Sequence, residues 1–433
     1  MERTAYTQLY AWKQNADRKP LILNGARQVG KTWLLRTFGK QEYVNTAYIN
    51  CDGNKQAEEL FNGDYDTERI IRNIGALTGQ QIHEKKTLII LDEIQQIPRV
   101  LPSLKYFCEN ARGYHVAAAG SLLGLNLHEE TSFPVGKVDV INLYPLSFEE
   151  FIKAAAGEQL FSVLGNSALS ELSALHSKFT ELLREYYFTG GMPEAVSAFI
   201  SGKSVQEVRR IQQMILYAYE KDISKHAPAH EIQRIHQVWE SIPQQLAKEN
   251  RKFIYGAVKR GARAKNFELA IQWLSDAGLV YKVQRIRKVQ LPLKFYEDFD
   301  TFKLFMLDCG LFGALAEAPA DRILIGDAVF EEYKGAFTEQ FVMQQLKTLS
   351  DVSVYYFSAD DSKQELDFIL QQDSRIIPVE VKAEENLRAK SLHQFVLDNP
   401  GLKGIRLSMS SYREQDWMTN IPLYAAERIL TAK

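Results

Sequence analysis

Short runs of consecutive apolar residues punctuate the first 150 positions, and helical stretches separate them. A run that is apolar throughout, rather than alternating, is typical of a strand that is covered on both faces. The pattern therefore predicts an α/β fold with a parallel sheet in this part of the chain. The predicted strands cover residues 21–23, 47–49, 88–91, 116–119 and 138–143.

The pattern changes twice after this point. It is helical from about residue 148 to 225, broken by Thr189-Gly-Gly-Met-Pro193, and it then indicates short helices that end in a small hairpin near residues 280–289. A mixed α/β pattern returns after Tyr296, with a helix near 335–349 and strands near 352–357, 366–370 and 376–381. We predict an α/β core at 1–150, a helical lid or linker at 151–228, a helix-and-hairpin domain at 229–293 and a second α/β domain at 294–433.

Composition excludes several classes of protein. The chain has 433 residues and a net charge of −2, so it is no polycation, and a nucleic-acid surface would have to be a local patch. Cys51, Cys108 and Cys309 lie far apart, which argues against a disulfide scaffold or a zinc ribbon and favours a reducing cytoplasm. The chain has no apolar run long enough for a membrane span and no apolar segment typical of a secretory signal near residue 1.

The strongest chemical signal is Gly25-Ala-Arg-Gln-Val-Gly-Lys-Thr32, between a predicted strand and a predicted helix. This is the P-loop pattern in its confirming context, where backbone N–H groups and the helix N-terminus surround phosphates. Lys31 is expected to reach the β- and γ-phosphates of ATP, and the Thr32 hydroxyl to bind Mg²⁺. The predicted nucleotide contacts are Gly25, Ala26, Arg27, Gln28, Val29, Gly30, Lys31, Thr32 and Trp33.

A pair of acids follows the third predicted strand, in Leu88-Ile-Ile-Leu-Asp92-Glu93. We predict that Asp92 holds Mg²⁺ through water and that Glu93 orients or deprotonates the attacking water. Ser121 follows the next strand and is a candidate for contacting the γ-phosphate or that water.

Together these residues resemble an AAA+ type ATPase. Gly25–Thr32 in its context, the Leu91-Asp-Glu-Ile94 box, Gly120-Ser121 and Tyr144-Pro-Leu-Ser-Phe148 resemble a prokaryotic family in which an ATPase module precedes a domain of unknown function. Tyr187-Phe-Thr-Gly-Gly-Met-Pro193 and Phe302–Gly310 continue the resemblance. The family often has an arginine where this chain has Lys137, and lysine lacks the planar fork of an arginine finger.

A basic segment covers residues 251–294, with eleven basic and two acidic residues. A helix followed by a hairpin is the order of a winged helix, which the family resemblance also implies. We predict that Arg260, Arg263 and Lys265 contact the phosphates of DNA. The alternative is a winged helix that makes protein contacts within the chain.

The last group of candidate residues is Glu339, Asp367 and the Pro378-Val-Glu380-Val-Lys382 segment. Glu380 and Lys382 are two apart on a predicted strand, so they share a face. A helix acid, a strand Asp and a Glu-x-Lys pair resemble the PD-(D/E)xK nuclease superfamily. The resemblance implies Glu339, Asp367 and Glu380 as metal ligands and Lys382 as a catalytic residue; coincidence and a nuclease fold without activity are the alternatives.

The sequence as a whole predicts an Mg²⁺-dependent, cytoplasmic ATPase, with a P-loop sheet and helical lid followed by a winged helix and a PD-(D/E)xK-like α/β domain. The predicted partners are ATP and, through the winged helix, DNA, with homo-oligomers left open and no membrane. The alternative function is an ATP-controlled switch or scaffold whose C-terminal region binds a protein partner without cutting nucleic acid.

Overall fold

The computed structural model describes residues 1–120, 133–248, 251–325, 328–359, 364–383 and 390–431. The chain divides into two units, Met1–Tyr144 with Asp276–Gly278 and Pro145–Ser275 with Leu279–Lys433. The predicted boundary at residue 150 lies close to the change from one unit to the other. The predicted boundaries at 228 and 293 lie within the second unit and stay predictions.

The first unit contains a five-stranded sheet in the order β2-β3-β4-β1-β5, and each neighbouring pair is parallel. Each strand coincides with a predicted apolar run, and β1, β3 and β4 are buried along their whole length. The predicted parallel α/β sheet is thus confirmed. Its strands are β1 (Leu21–Asn24), β2 (Asn45–Asn50), β3 (Thr87–Asp92), β4 (His115–Gly120) and β5 (Asp139–Asn142).

The helices of this unit pack apolar residues against the sheet. In the fourth of them, the side chain of Asp66 caps the first turn, and Gly79 ends the helix in the left-handed conformation. Its Ile70, Ile71 and Ile74 join the core that covers one face of the strands. The helices are α1 (Ala5–Gln14), α2 (Lys31–Glu42), α3 (Lys55–Phe61), α4 (Thr67–Thr78) and α5 (Val100–Asn110), with a 3-10 helix at Ile94–Gln96.

The second unit begins with helices, as predicted. Two of them start with a reciprocal capping box, formed by Ser147 with Glu150 and by Ser204 with Glu207. The helices are α6 (Phe148–Ala156), α7 (Glu158–Asn166), α8 (His176–Thr189), α9 (Pro193–Ile200), α10 (Val205–His226), α11 (Ile232–Leu246), α12 (Tyr255–Val258), α13 (Glu268–Asp276), α14 (Cys309–Leu315), α15 (Ala320–Ile325), α16 (Ala328–Thr348) and α17 (Lys390–Asp398), with 3-10 helices at Glu171–Leu175, Ala264–Asn266, Leu293–Tyr296 and Leu423–Thr431.

Asp308 explains two of the sequence motifs at once. Its fully buried carboxylate accepts hydrogen bonds from the backbone N–H groups of Gly191 at 2.5 Å and Leu311 at 2.9 Å. A Cβ atom on Gly190 would lie 2.2 Å from the same carboxylate, so the position requires glycine. The Thr189–Pro193 motif and the motif that ends at Gly310 therefore meet at one structural contact.

The strands of the second unit form one eight-stranded mixed sheet in the order β12-β13-β11-β10-β9-β8-β6-β7. The predicted hairpin of the winged helix is β6 and β7, and β6 also pairs with β8 in parallel. The predicted division at 293 thus falls between two paired strands of this sheet, and pairing of this kind with β8 is not visible in local patterns. The strands are β6 (Val280–Ile286), β7 (Glu297–Met306), β8 (Ser353–Ser358), β9 (Glu365–Gln372), β10 (Arg375–Lys382), β11 (Gly404–Ser408), β12 (Arg413–Glu414) and β13 (Met418–Pro422).

No helix among the described residues combines the length and the apolar character needed to cross a membrane.

Candidate functional site

Gly25 and Gly30 shape the loop that joins β1 to α2. A Cβ atom on Gly25 would lie 2.3 Å from the backbone carbonyl oxygen of Leu143. Gly30 precedes the first helical residue with a φ of 95°, in the left-handed region that favours glycine. The two glycines of the motif are therefore required by the backbone path of the loop itself.

Lys31 is the first residue of α2, and its side chain folds back beneath the loop. It is 7% exposed, and its Nζ donates hydrogen bonds to the carbonyl oxygens of Gly25 at 2.9 Å and Ala26 at 2.8 Å. Burial lowers the pKa of Lys31 to about 8, while the charges of Glu93 and Asp92 act in the opposite direction. The buried amine is thus held at the loop by backbone oxygens and lies near both acids.

Asp92 ends β3 and is buried. Its Oδ2 accepts a hydrogen bond from the Tyr48 hydroxyl at 2.9 Å, and its Oδ1 accepts one from the backbone N–H of Glu93 at 3.1 Å. Burial, together with the charge of Asp92, raises the pKa of Tyr48 to about 12, so the phenol remains a donor near neutral pH. These two contacts fix the orientation of the carboxylate.

Glu93 has a backbone conformation that is uncommon for a residue other than glycine, with φ at 52° and ψ at 45°. Its Oε2 accepts a hydrogen bond from the side-chain amide of Gln95. Because β1 and β3 both pair in parallel with β4, their carboxyl ends meet at one edge of the sheet. The loop and the two acids therefore share the edge at which α/β proteins bind ligands.

The remaining residues predicted for the nucleotide site lie in different surroundings. Thr32 is half-buried next to Lys31, Arg27 is exposed, and Trp33 is 48% exposed. Ser121 lies outside the described residues. Lys137, at the position of the family's arginine, forms an ion pair with Glu109 at 2.8 Å.

The predicted DNA contacts lie between α12 and α13. Arg260, Arg263 and Lys265 are all exposed there. Other basic residues of the same segment are engaged elsewhere: Arg285, for example, donates to the Ser358 carbonyl at 2.6 Å and pairs with Asp298 at 3.3 Å. The basic surface is therefore smaller than the count of eleven basic residues indicates.

In the second unit, Glu339 on α16 and Asp367 on β9 come together, although 28 residues separate them in sequence. Glu339 is 1% exposed, and the two carboxyl groups share a hydrogen bond. Asp367 also accepts a hydrogen bond from the backbone N–H of Val381 at 2.7 Å. Burial and the neighbouring Asp367 raise the pKa of Glu339 to about 8.

Glu380 takes a different partner. Its Oε1 lies 3.1 Å from Nζ of Lys382, so these two residues share a strand face as predicted, but they pair with each other. Glu380 is 3% exposed, and Oε2 has no hydrogen-bond partner. Within the described ranges no three His, Cys, Asp or Glu side chains are arranged to hold a metal ion. The predicted ligand set of Glu339, Asp367 and Glu380 therefore does not fit a metal site in this geometry.

Sequence reasoning missed the two cations that lie against Glu339 and Asp367. Nζ of Lys303, on β7, lies 3.5 Å from Glu339, 3.9 Å from Asp367 and 3.1 Å from Glu365. Arg251 contacts Glu339 and lies 3.8 Å from Asp367. A lysine within the apolar run 302–307 was a usable signal, because a buried charge needs a partner. No pattern in the sequence around Arg251 predicted that it would contact these acids.

Models of three known domain families match different parts of the chain. Residues 17–152 match the model of an AAA domain. The N-terminal region is an AAA-type P-loop ATPase domain. Residues 180–322 and 334–425 match two domains of unknown function, DUF8612 and DUF4143. The AAA-type domain is thus followed by a C-terminal region of unknown function, as the sequence predicted. No curated protein matches the chain.

Several solved structures align with the chain at low similarity. A Walker-type ATPase of Pyrococcus abyssi is 12% identical, with 73% of this chain and 95% of that chain covered and a TM-score of 0.47. The Orc1 protein of Aeropyrum pernix, solved in complex with DNA, is 14% identical, with coverage of 75% and 95% and a TM-score of 0.29. Cdc6p of Pyrobaculum aerophilum is 13% identical, with coverage of 75% and 96% and a TM-score of 0.26. These likenesses are too low to extend the assignment.

Proposed function

We propose that the protein binds ATP with Mg²⁺ at the P-loop and hydrolyses it. The observation that carries this proposal is the position of Lys31, whose buried amine is held at the glycine loop by the carbonyl oxygens of Gly25 and Ala26. Phosphate oxygens are stronger acceptors for an ammonium group than neutral carbonyls. Bound ATP would therefore compete successfully for this amine.

Each residue at the sheet edge has a different role in ATP hydrolysis. Lys31 would bind the β- and γ-phosphates of ATP. The Thr32 hydroxyl would bind Mg²⁺ and Asp92 would hold it through water, and the ion would supply positive charge to offset that of the phosphates. Tyr48 and the backbone N–H of Glu93 keep Asp92 in place. Glu93 orients or deprotonates the attacking water, and we assign Ser121 the role of a γ-phosphate sensor.

The direct test is release of inorganic phosphate from ATP, with and without Mg²⁺ and with and without duplex DNA. We expect turnover that requires Mg²⁺. Stimulation by DNA would link the ATPase to the basic segment. Absence of both ATP binding and turnover at millimolar ATP would refute the proposal.

The basic segment carries a second part of the proposal, contact with DNA phosphates. Arg260, Arg263 and Lys265 are exposed within a short stretch between two helices. Such contacts release counterions, so affinity for duplex DNA should fall steeply with salt.

The three buried, free cysteines support a reducing cytoplasm as the setting.

Charge reversal tests this surface. Changing Arg260, Arg263 and Lys265 to Glu should weaken binding to all duplex sequences alike and lower the slope of log affinity against log salt by about 3. A triple reversal of exposed Lys178, Lys203 and Lys221 in the helical part of the same unit is the matched control. Equal losses in both triple variants would show that only net charge matters.

The structure favours an ATP-controlled switch or scaffold over a nuclease as the second candidate function. Glu339 and Asp367 lie against Lys303 and Arg251 instead of forming an open ligand set. We therefore expect no Mn²⁺-supported cleavage of single- or double-stranded DNA. Cleavage that is lost in Asp367→Ala and Lys382→Ala would instead support the hypothesis that this region is a nuclease.

A further inference from the structure

The carboxyl groups of Glu339 and Asp367 are surrounded by basic groups of the chain itself. Lys303 is fully buried, and its Nζ lies within 4 Å of both acids. The same amine lies 5.0 Å from the ring centroid of Tyr356. Because a fully buried ammonium group requires charged or polar partners, Lys303 is a fixed part of this cluster.

Arg251 approaches the acids from a different segment, between α11 and α12. Its guanidinium group contacts Glu339 and passes over Gly335, which lies one helical turn before Glu339 on α16. A Cβ atom on Gly335 would lie 2.5 Å from Nη2 of Arg251. The missing side chain at this helix position therefore makes room for the guanidinium group.

A divalent ion between Glu339 and Asp367 would meet two positive charges that already lie within 4 Å of the same two carboxyl groups. Glu380, the remaining predicted ligand, is engaged by Lys382. Mg²⁺ and Mn²⁺ need several free oxygen ligands. We propose that Arg251 and Lys303 are the resident counter-ions of Glu339 and Asp367 and thereby exclude a divalent metal ion from this site.

This inference concerns a site separate from the P-loop and does not depend on ATP hydrolysis. Its test is direct binding of Mn²⁺, followed by electron paramagnetic resonance, to the full chain without nucleotide. Wild type should show no measurable Mn²⁺ binding at these acids. Arg251→Ala should gain a site whose affinity exceeds the detection limit by at least about tenfold, since the acids then keep only Lys303 as a counter-ion. The P-loop is unchanged in all variants, so its own contribution cancels.

Arg234→Ala is the matched control, because Arg234 also pairs with a buried glutamate of the same unit, Glu231. This variant should gain no Mn²⁺ site. A wild-type protein that binds one Mn²⁺ and loses it in Glu339→Gln would overturn the proposal. So would a folded Arg251→Ala protein with no gain.

If Arg251→Ala does not fold, Gly335→Ala decides the question. The added methyl group would displace the guanidinium group, while alanine favours the helix over glycine. Gain of Mn²⁺ binding in Gly335→Ala supports the inference. Unchanged binding in that variant contradicts it.

Discussion

Two buried lysines, Lys31 in the first unit and Lys303 in the second, lie near carboxylates but have different partners. Nζ of Lys31 donates to two backbone carbonyl oxygens, while Asp92 and Glu93 influence it only through their charge. Nζ of Lys303 lies within ion-pair distance of Glu339, Glu365 and Asp367. One lysine is held by neutral groups that a phosphate can replace, and the other is neutralised by the protein.

This difference separates a binding site from a structural charge cluster. An ammonium group on neutral acceptors keeps its charge available for an anion, whereas one among carboxylates has already formed its strongest contacts. The same residue types, lysine and acids on a sheet, therefore perform different tasks. Substitution of Lys31 should affect ligand binding and leave the fold intact, and substitution of Lys303 should do the reverse.

The largest expected effect is that of Lys31→Ala on nucleotide affinity. The loss should be about two orders of magnitude or more, because two hydrogen bonds from a charged donor are worth about 1.5 to 3 kcal/mol each. Titration with a fluorescent ATP analogue measures it. Lys40→Ala, an exposed lysine on the same helix, is the control and should bind normally. If Lys31→Ala bound the nucleotide with nearly wild-type affinity, Lys31 would not be the phosphate-binding lysine that distinguishes the P-loop from the cluster around Lys303.

Lys303→Met should leave ATP affinity unchanged and destabilise the second unit. Breaking a buried ion pair on one side costs about 3 to 5 kcal/mol, because the buried acids then keep only Arg251 as a counter-charge. Hydrogen exchange of backbone amides in β7 and β9 measures the free energy of opening.

The double variant Lys303→Met with Glu339→Gln supplies the control for that prediction. Removing the acid together with its counter-ion should recover part of the lost stability. If the double variant is as unstable as the sum of the single variants, the two side chains are not coupled, and the cluster does not have the role described.

The P-loop could be predicted from the sequence because the residues that form it are close together in the chain. Gly25, Gly30 and Lys31 lie within seven consecutive positions. The glycines are required by the backbone path of the loop, and Lys31 donates hydrogen bonds to carbonyl oxygens of the same loop. Strand β3, with its continuous apolar run, likewise predicted where Asp92 would lie. Short sequence separation and strong backbone constraints made these predictions possible.

Only the acids of the cluster around Glu339 and Asp367 could be predicted from the sequence, because their basic partners are distant in sequence. The resemblance to the PD-(D/E)xK superfamily implied the proximity of Glu339 and Asp367, but Arg251 lies 88 residues from Glu339. Nothing near Arg251 distinguishes it from the other basic residues of its segment. The pairing of β6 with β8, which places the predicted hairpin in the larger sheet, was hidden for the same reason.

The smallest expected effect is that of Tyr48→Phe, which sharpens the description of the first site. It removes one hydrogen bond to Asp92, worth about 0.5 to 1.5 kcal/mol, and so should raise the Mg²⁺ concentration needed for half-maximal turnover by about 2- to 10-fold. Steady-state ATPase rates across a Mg²⁺ series measure it. No change would show that the phenol does not orient the carboxylate.

The central claim is that the P-loop site binds and hydrolyses ATP, and Glu93→Gln tests it most directly. Glutamine keeps the size of the side chain but cannot accept the proton of the attacking water. ATP affinity should stay within about threefold of wild type, while single-turnover hydrolysis slows by roughly two to four orders of magnitude. Hydrolysis at the wild-type rate in Glu93→Gln, with ATP bound, would contradict the account.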